Sequence, residues 1–295
     1  MKKICVLLFT CLVAWPFLGE KASAEILNEV EPNNTPAQAQ LIQRNNHDPS
    51  QMLIGNNTSQ KVVAGSLESQ LDEDWYKVSL PANAETVLSI NGSTGMRMTV
   101  DVFDSNFTRI RSVDFQKDPS FSGAYPYIVD IPSSGDYYVK VFNPIGITQG
   151  YLFTIGSPNY SLDTYYHKAW KSLTLTPTIK SVQDSYNFTN ILSVPKNAVV
   201  YRVSLGGVTV NSAISQYRKI KLSSDSSWTN TAMYTWHASI PVQNNKLFHS
   251  TWNFSVEGTV INSSKPFSLT PDIGFSYVYP ILPQQQKYIQ MGELK

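Results

Sequence analysis

Trp75-Tyr76-Lys77-Val78-Ser79-Leu80 and Tyr137-Tyr138-Val139-Lys140-Val141-Phe142 decide the fold class of this chain. Successive side chains of a strand point to opposite faces, so the first stretch buries Tyr76, Val78 and Leu80 and turns Lys77 and Ser79 to water. By the same alternation the second buries Tyr137, Val139 and Val141 and leaves Tyr138, Lys140 and Phe142 outside. Runs of this kind, rich in Val, Ile, Tyr and Phe and separated by turn residues, recur at the spacing of a sandwich. They predict strands near 61–68, 74–80, 85–91, 97–103, 107–115, 126–131, 136–142 and 150–155.

Upstream, residues 25–60 are rich in Asn, Gln, Pro and Ser and show no sustained period, which predicts a loop-like leader held in place by something else. Downstream, residues 156–171 break the alternation and open with the turn residues Gly156-Ser157-Pro158-Asn159. A domain boundary is expected there, dividing the mature chain into 25–158 and 159–295. Strand-like runs resume at 172–180, 197–205, 207–214, 216–222, 231–240, 247–260 and 273–280, with Gly206-Gly207 as a tight link. Helical periodicity longer than about ten residues appears nowhere past the first 24, so an all-β chain of two β-sandwich domains is expected.

The first residues have a different logic. A basic start (Lys2, Lys3), an apolar run from Ile4 to Leu18 and the small residues Ala22-Ser23-Ala24 form a secretory signal peptide over residues 1–24, so the mature chain is expected to begin at Glu25 and to be extracellular. The run is too short for a membrane span, which needs about 20 residues. Cys11 sits too early, behind Phe9 and Thr10, for a lipoprotein signal. Both cysteines, Cys5 and Cys11, leave with the peptide, so no disulfide can stabilise the mature chain. Lys plus Arg falls from 23 to 20 and Asp plus Glu from 22 to 21, a net charge near −1. That balance lacks the basic excess a nucleic acid or an anionic membrane surface would require.

Two acidic clusters stand out: Glu29-Val30-Glu31-Pro32-Asn33-Asn34 and Glu68-Ser69-Gln70-Leu71-Asp72-Glu73-Asp74. Alternation in an extended segment puts Glu29, Glu31 and Asn33 on one side, and Asp72 and Asp74 share a side at a strand entry. Carboxylate and amide oxygens in such numbers suit calcium, which takes six to eight oxygen ligands; solvated loop acids would have the same composition. The order Glu29-x-Glu31-Pro32-Asn33-Asn34, Val63-Ala64-Gly65-Ser66-Leu67, Asp72-x-Asp74-Trp75-Tyr76, Gly135-Asp136-Tyr137-Tyr138-Val139-Lys140-Val141 and Gly150-Tyr151-Leu152-Phe153-Thr154-Ile155 resembles the bacterial pre-peptidase C-terminal (PPC) domain family, which includes the collagen-binding domains of clostridial collagenases. The resemblance spans residues 28–156. It implies a jelly-roll-like sandwich attached to secreted enzymes, where it aids export or attaches the enzyme to its substrate. It also implies a Ca2+ site in which the leader folds back on the strand entry, with ligands from Glu29, Glu31, Asn33, Asp72, Asp74 and the backbone carbonyl of Ser66.

No catalytic pattern accompanies these clusters. The four histidines, His47, His167, His237 and His249, form no His-Glu-x-x-His, no Gly-x-Ser-x-Gly elbow occurs, and the mature chain has no thiol. His237 and His249 lie in strand-like runs and are read as structural. In the second half Trp170, Trp228, Trp236, Trp252, Tyr217, Tyr234, Tyr277 and Tyr279 are read mainly as core, with a stacking or protein-binding platform as the alternative. The expected function is a secreted, non-catalytic binding or accessory protein that attaches to an extracellular matrix-like protein or polysaccharide, with Tyr138, Lys140 and Phe142 as candidate contacts. A hydrolase with its active site in 160–295, carrying the first module as an appendage, is the competing expectation.

Overall fold

The computed structural model describes residues 24–143 and 148–283. The signal peptide expected over 1–24 therefore lies, all but Ala24, outside the described residues. Among those residues no helix is long and apolar enough to cross a membrane.

Ten strands form the first sandwich: β1 (Glu25–Asn28), β2 (Gln40–Ile42), β3 (Lys61–Leu67), β4 (Glu73–Leu80), β5 (Asn83–Gly92), β6 (Arg97–Phe103), β7 (Arg109–Gln116), β8 (Tyr125–Ile131), β9 (Gly135–Phe142) and β10 (Gln149–Gly156), with one short helix, α1 (Pro49–Leu53). One sheet runs β1-β3-β10-β5-β8 and the other β2-β4-β9-β6-β7. The expected core sets of β4 and β9 are buried as read, with Tyr76, Val78 and Val139 fully enclosed. They meet Leu88, Ile90, Tyr151 and Phe153 of the opposing sheet in one apolar cluster.

The leader is not a loop. Its β1 pairs in parallel with β3, and its β2 pairs in parallel with β4, so it adds an edge strand to each sheet. Both strands are short, β1 exposes all four side chains and β2 buries only Ile42, which is why no period marks them in the sequence. Backbone hydrogen bonds, together with Ile42 in the apolar cluster, hold this segment.

The second sandwich follows after three residues. Its strands are β11 (Tyr160–Lys168), β12 (Leu173–Leu175), β13 (Ser181–Asn187), β14 (Val199–Val210), β15 (Ile214–Leu222), β16 (Thr229–Asn230), β17 (His237–Ser239), β18 (Thr251–Thr259) and β19 (Phe267–Pro280). One sheet runs β11-β19-β14-β17, with β12 also on β19, and faces the sheet β13-β18-β15-β16. A second apolar cluster, sharing no residue with the first, lies between them around Phe188, Phe248, Trp252, Phe254 and Phe275.

Several expectations for this half are corrected. The supposedly irregular stretch 156–171 contains the nine-residue strand β11, and β13 was not expected at all. Both are edge strands whose inward positions hold polar residues such as His167, Asp163 and Asp184, so their alternation carries little hydrophobic contrast. Gly206-Gly207 is not a turn but the middle of β14. At Gly207 (φ +139°) a Cβ would overlap the Thr270 carbonyl oxygen, so glycine here permits close approach of β19. Of the run 231–240 only 237–239 is strand; the rest is a turn in which Tyr234 and Trp236 have positive φ.

Buried Asn45 joins the two sandwiches. Its Nδ2 donates to the Ser157 carbonyl (2.7 Å), and its Oδ1 accepts the Lys61 N–H (3.1 Å). Gln60 Nε2 donates to Asn159 Oδ1 (2.9 Å), and His47 meets the Tyr160 ring edge-on. Burial lowers the His47 pKa, so the imidazole is held neutral at this junction.

Candidate metal centre

The two acidic clusters converge because the ladder of β1 on β3 continues one residue past the strand: the Glu29 N–H donates to the Ala64 carbonyl (2.8 Å). That bond sets Glu29 over β3, where its Oε2 accepts the Ser66 N–H (2.8 Å) and its Oε1 accepts from Asn33 Nδ2 (3.1 Å). Glu31 Oε2 accepts the Asn33 N–H (2.9 Å) and lies 3.3 Å from Asn34 Nδ2. The Trp75 N–H donates to the Asn33 carbonyl (2.9 Å), which pins the leader to the start of β4 beside Asp74. One carboxylate oxygen each of Glu29, Glu31 and Asp74 then lie within 4.8 Å of one another.

Asp74 is fully buried. Its Oδ2 accepts the Tyr151 hydroxyl hydrogen (2.6 Å), and the Tyr151 oxygen is 2.6 Å from Tyr76 Oη. Desolvation, with Glu29 alongside, pushes the Asp74 carboxyl up to about 9. Burial likewise raises both tyrosines, which therefore stay protonated as donors. Two oxygens are left over: Asp74 Oδ1 and Asn33 Oδ1 are buried with no hydrogen-bond partner. An orphaned buried acceptor costs about 1–3 kcal/mol; a proton on Asp74 facing Glu29, or a cation between the carboxylates, would each relieve part of that cost. The donor set is all oxygen, which fits a hard ion such as Ca2+ and not a thiolate- or imidazole-seeking metal.

Of the six residues expected as ligands, the structure gathers Glu29, Glu31, Asn33 and Asp74. Asp72 lies outside that group of carboxylates but close enough for its charge to act on Asp74; its Oδ2 accepts the Glu68 N–H (2.6 Å) and closes the 68–72 loop. Ser66 contributes its N–H to Glu29.

Residues 72–143 match the bacterial pre-peptidase C-terminal domain family. The matched segment of the first sandwich runs from the Asp72 loop to the end of β9, and the leader that supplies Glu29, Glu31 and Asn33 precedes it. No curated protein matches the sequence. Among solved structures, "a putative secreted protein from Eubacterium rectale" shares the fold over 86% of this chain and 84% of its own, at 10% identity and a TM-score of 0.52. The triple jelly roll of an archaeal virus (10% identity, 74% and 58% coverage, TM-score 0.26) and the CBM22 tandem of Paenibacillus barcinonensis Xyn10C (12%, 68% and 82%, TM-score 0.20) are too distant for argument.

Three residues missed in the sequence shape this site. Tyr76 and Tyr151 form its hydrogen-bonded floor, and Gly65 leaves room for both partners: a Cβ there would overlap the Tyr151 hydroxyl and come within 3.0 Å of Glu29 Oε2. Gly65→Ala is expected to displace Tyr151 from Asp74 and destabilise the protein by about 1–3 kcal/mol, the usual cost of overpacking. A wild-type midpoint in that variant, measured by circular dichroism, would remove Tyr151 from this role.

Tyr138, Lys140 and Phe142 of the first sandwich lie on its outer face but are half-buried by their own sheet. Phe107 packs on Tyr138 (4.8 Å between centroids), while Lys140 Nζ sits 4.5 Å from the Phe142 ring centroid and 2.6 Å from Glu73 Oε1. In the second sandwich Trp252, Tyr277 and Tyr279 are core, whereas Trp170 and Tyr234 are exposed. Trp228 lies beside Lys221, Trp236 covers Arg218, and Tyr217 is partly exposed. The His249 ring nitrogens face the Phe188 and Val194 carbonyls (3.2 and 3.0 Å), a packing role.

Proposed function

We propose that the chain is a secreted, non-catalytic accessory protein whose PPC sandwich is locked by a calcium ion and which attaches to an extracellular polysaccharide or matrix-like protein. One observation carries the calcium reading: the partnerless buried oxygens of Asp74 and Asn33 lie beside the carboxylates of Glu29 and Glu31. Calcium bound by these four residues would neutralise the cluster and tie the leader to β4, offsetting the entropy of ordering a segment with little apolar surface. The ladder of Tyr138, Lys140 and Phe142 offers this sandwich a contact face.

The test is calorimetric titration of the mature chain with calcium after chelator treatment. Extracellular calcium modules bind with dissociation constants of about 10⁻⁴ to 10⁻³ M. An ion that binds only the folded form adds about 2.7 kcal/mol of stability at a hundredfold excess over its dissociation constant. Glu31→Ala, which removes an exposed carboxylate and little packing, is expected to abolish the heat and the rise in midpoint. No heat with the wild type, and a midpoint indifferent to chelator, would return the acids to ordinary loop residues.

A further inference from the structure

The outer face of the sheet β11-β19-β14-β17 carries a trough that no expectation from the sequence placed. Its registers build two cross-strand rows. One row is Tyr166, Gly274, Ser204 and His237; the other is Thr164, Ser276, Arg202 and Ser239. The two central strands thus supply the smallest side chains, Gly274, Ser204 and Ser276, while Tyr166 and His237 rise at either side. The result is a hollow of about 200 Å³ floored by hydroxyls and walled by an aromatic ring.

Two details give this hollow a chemical preference. The Tyr166 ring leans over Gly274, where a Cβ would come within 3.0 Å of Tyr166 Cε1, yet it remains 67% exposed. A tyrosine with that much ring open to water has area to bury against an apolar ligand face while its hydroxyl keeps a hydrogen bond. Arg202 is exposed and has no ion pair among the described residues, and no carboxylate lines the hollow. In the next row Lys168 stands opposite Asp272, so their charges offset each other and Arg202 leaves the face net positive. A planar guanidinium without a partner suits a carboxylate, which it can bind through two parallel hydrogen bonds.

We propose that this trough binds a uronate residue of an acidic polysaccharide, with the sugar ring on Tyr166, hydroxyls on Ser204, Ser276 and Thr164, and the carboxylate on Arg202. The inference rests on reading the chain as an extracellular attachment protein and names where and to what it attaches; it is independent of the PPC sandwich.

Titration of the mature protein with galacturonate oligosaccharides, against xylose oligosaccharides of equal length, tests it. All titrations are run in millimolar calcium, so the metal reading is judged separately by its own midpoint shift. The acidic oligomer is expected to bind at least tenfold more tightly than the neutral one. Tyr166→Ala should weaken it at least tenfold, Arg202→Gln should erase the preference for acid, and Gly274→Val should close the trough. Tyr217→Ala, an exposed aromatic on the opposite sheet, should change nothing, and circular dichroism midpoints check that each variant is folded. Should Gly274→Val fail to fold, the Tyr166 and Arg202 variants decide alone. Failure of the acidic oligomer to bind at millimolar concentration, equal affinity for the neutral one, or indifference to Tyr166→Ala would each overturn the assignment.

Discussion

In chelator the thermal midpoint is expected to fall as the pH is raised from about 5 to about 8, and in millimolar calcium that slope is expected to flatten. The cause is Asp74. Its unfolded carboxyl ionises near 3.8, whereas in the folded protein desolvation and then Glu29 push it up to about 9. Between those values the metal-free folded state holds a proton that the unfolded chain has lost. This contribution to stability is complete below the unfolded pKa and is lost as pH rises through the folded one. Calcium binds the ionised form, so it displaces that proton and gains affinity with rising pH. Asp74→Asn keeps the shape and an acceptor for Tyr151 while removing the titration. It should flatten the slope, raise the metal-free midpoint at pH 8 and abolish the calcium response. A few kcal/mol from one buried carboxyl corresponds to roughly 10 °C, at about 2–4 °C per kcal/mol in domains of 150–250 residues. A flat slope in the metal-free wild type, or an unchanged slope in Asp74→Asn, would show that the cluster holds no such proton.

What could be read from the sequence follows from where side chains sit in a sheet. Central strands such as β4 and β9 alternate between a sealed core and water, so Tyr76, Val78, Tyr137 and Val139 declared themselves. Edge strands bury only part of one face. β1, β2, β11 and β13 therefore tolerate polar residues inward, and the contrast that marks a strand fades. The acidic cluster was legible because Glu29, Glu31, Asn33 and Asp74 are polar residues crowded in extended segments. Its floor was not, since Tyr76 and Tyr151 look like any core aromatic until the pairing of β3 with β10 sets them beside Asp74. The trough on the second sandwich was hidden for a further reason. Tyr166, Gly274, Ser204 and His237 come from four strands spread over more than a hundred residues, and only the register of β14 and β11 on β19 aligns them.

Arg218→Ala is expected to destabilise the protein by about 3–5 kcal/mol, because it removes buried volume and leaves a carbonyl unpaired. Arg218 is almost completely buried on β15, and among the described residues no carboxylate pairs with it. Burial draws its pKa down to about 10, which still leaves it charged at neutral pH. Its Nη1 donates to the Leu205 carbonyl (2.6 Å), its Nη2 to Gln216 Oε1 (3.1 Å), and the guanidinium lies 4.0 Å from the Trp236 ring centroid. The Leu205 N–H in turn donates to the Trp236 carbonyl (2.7 Å), so the Arg218 side chain holds the Trp236 end of the turn that delivers His237 to the trough. A cation on an aromatic face contributes about 2 kcal/mol or more when desolvated, and that compensates part of the charge burial. Arg218→Met separates the terms: it keeps much of the contact with Trp236 while abolishing the charge and its desolvation, so it should cost clearly less than alanine. Guanidinium chloride unfolding of the two variants measures the difference. Equal losses would mean that the hydrogen bond to Leu205 and the charge hold the turn, rather than packing; a neutral Arg218→Ala would mean that Trp236 is held by its backbone alone.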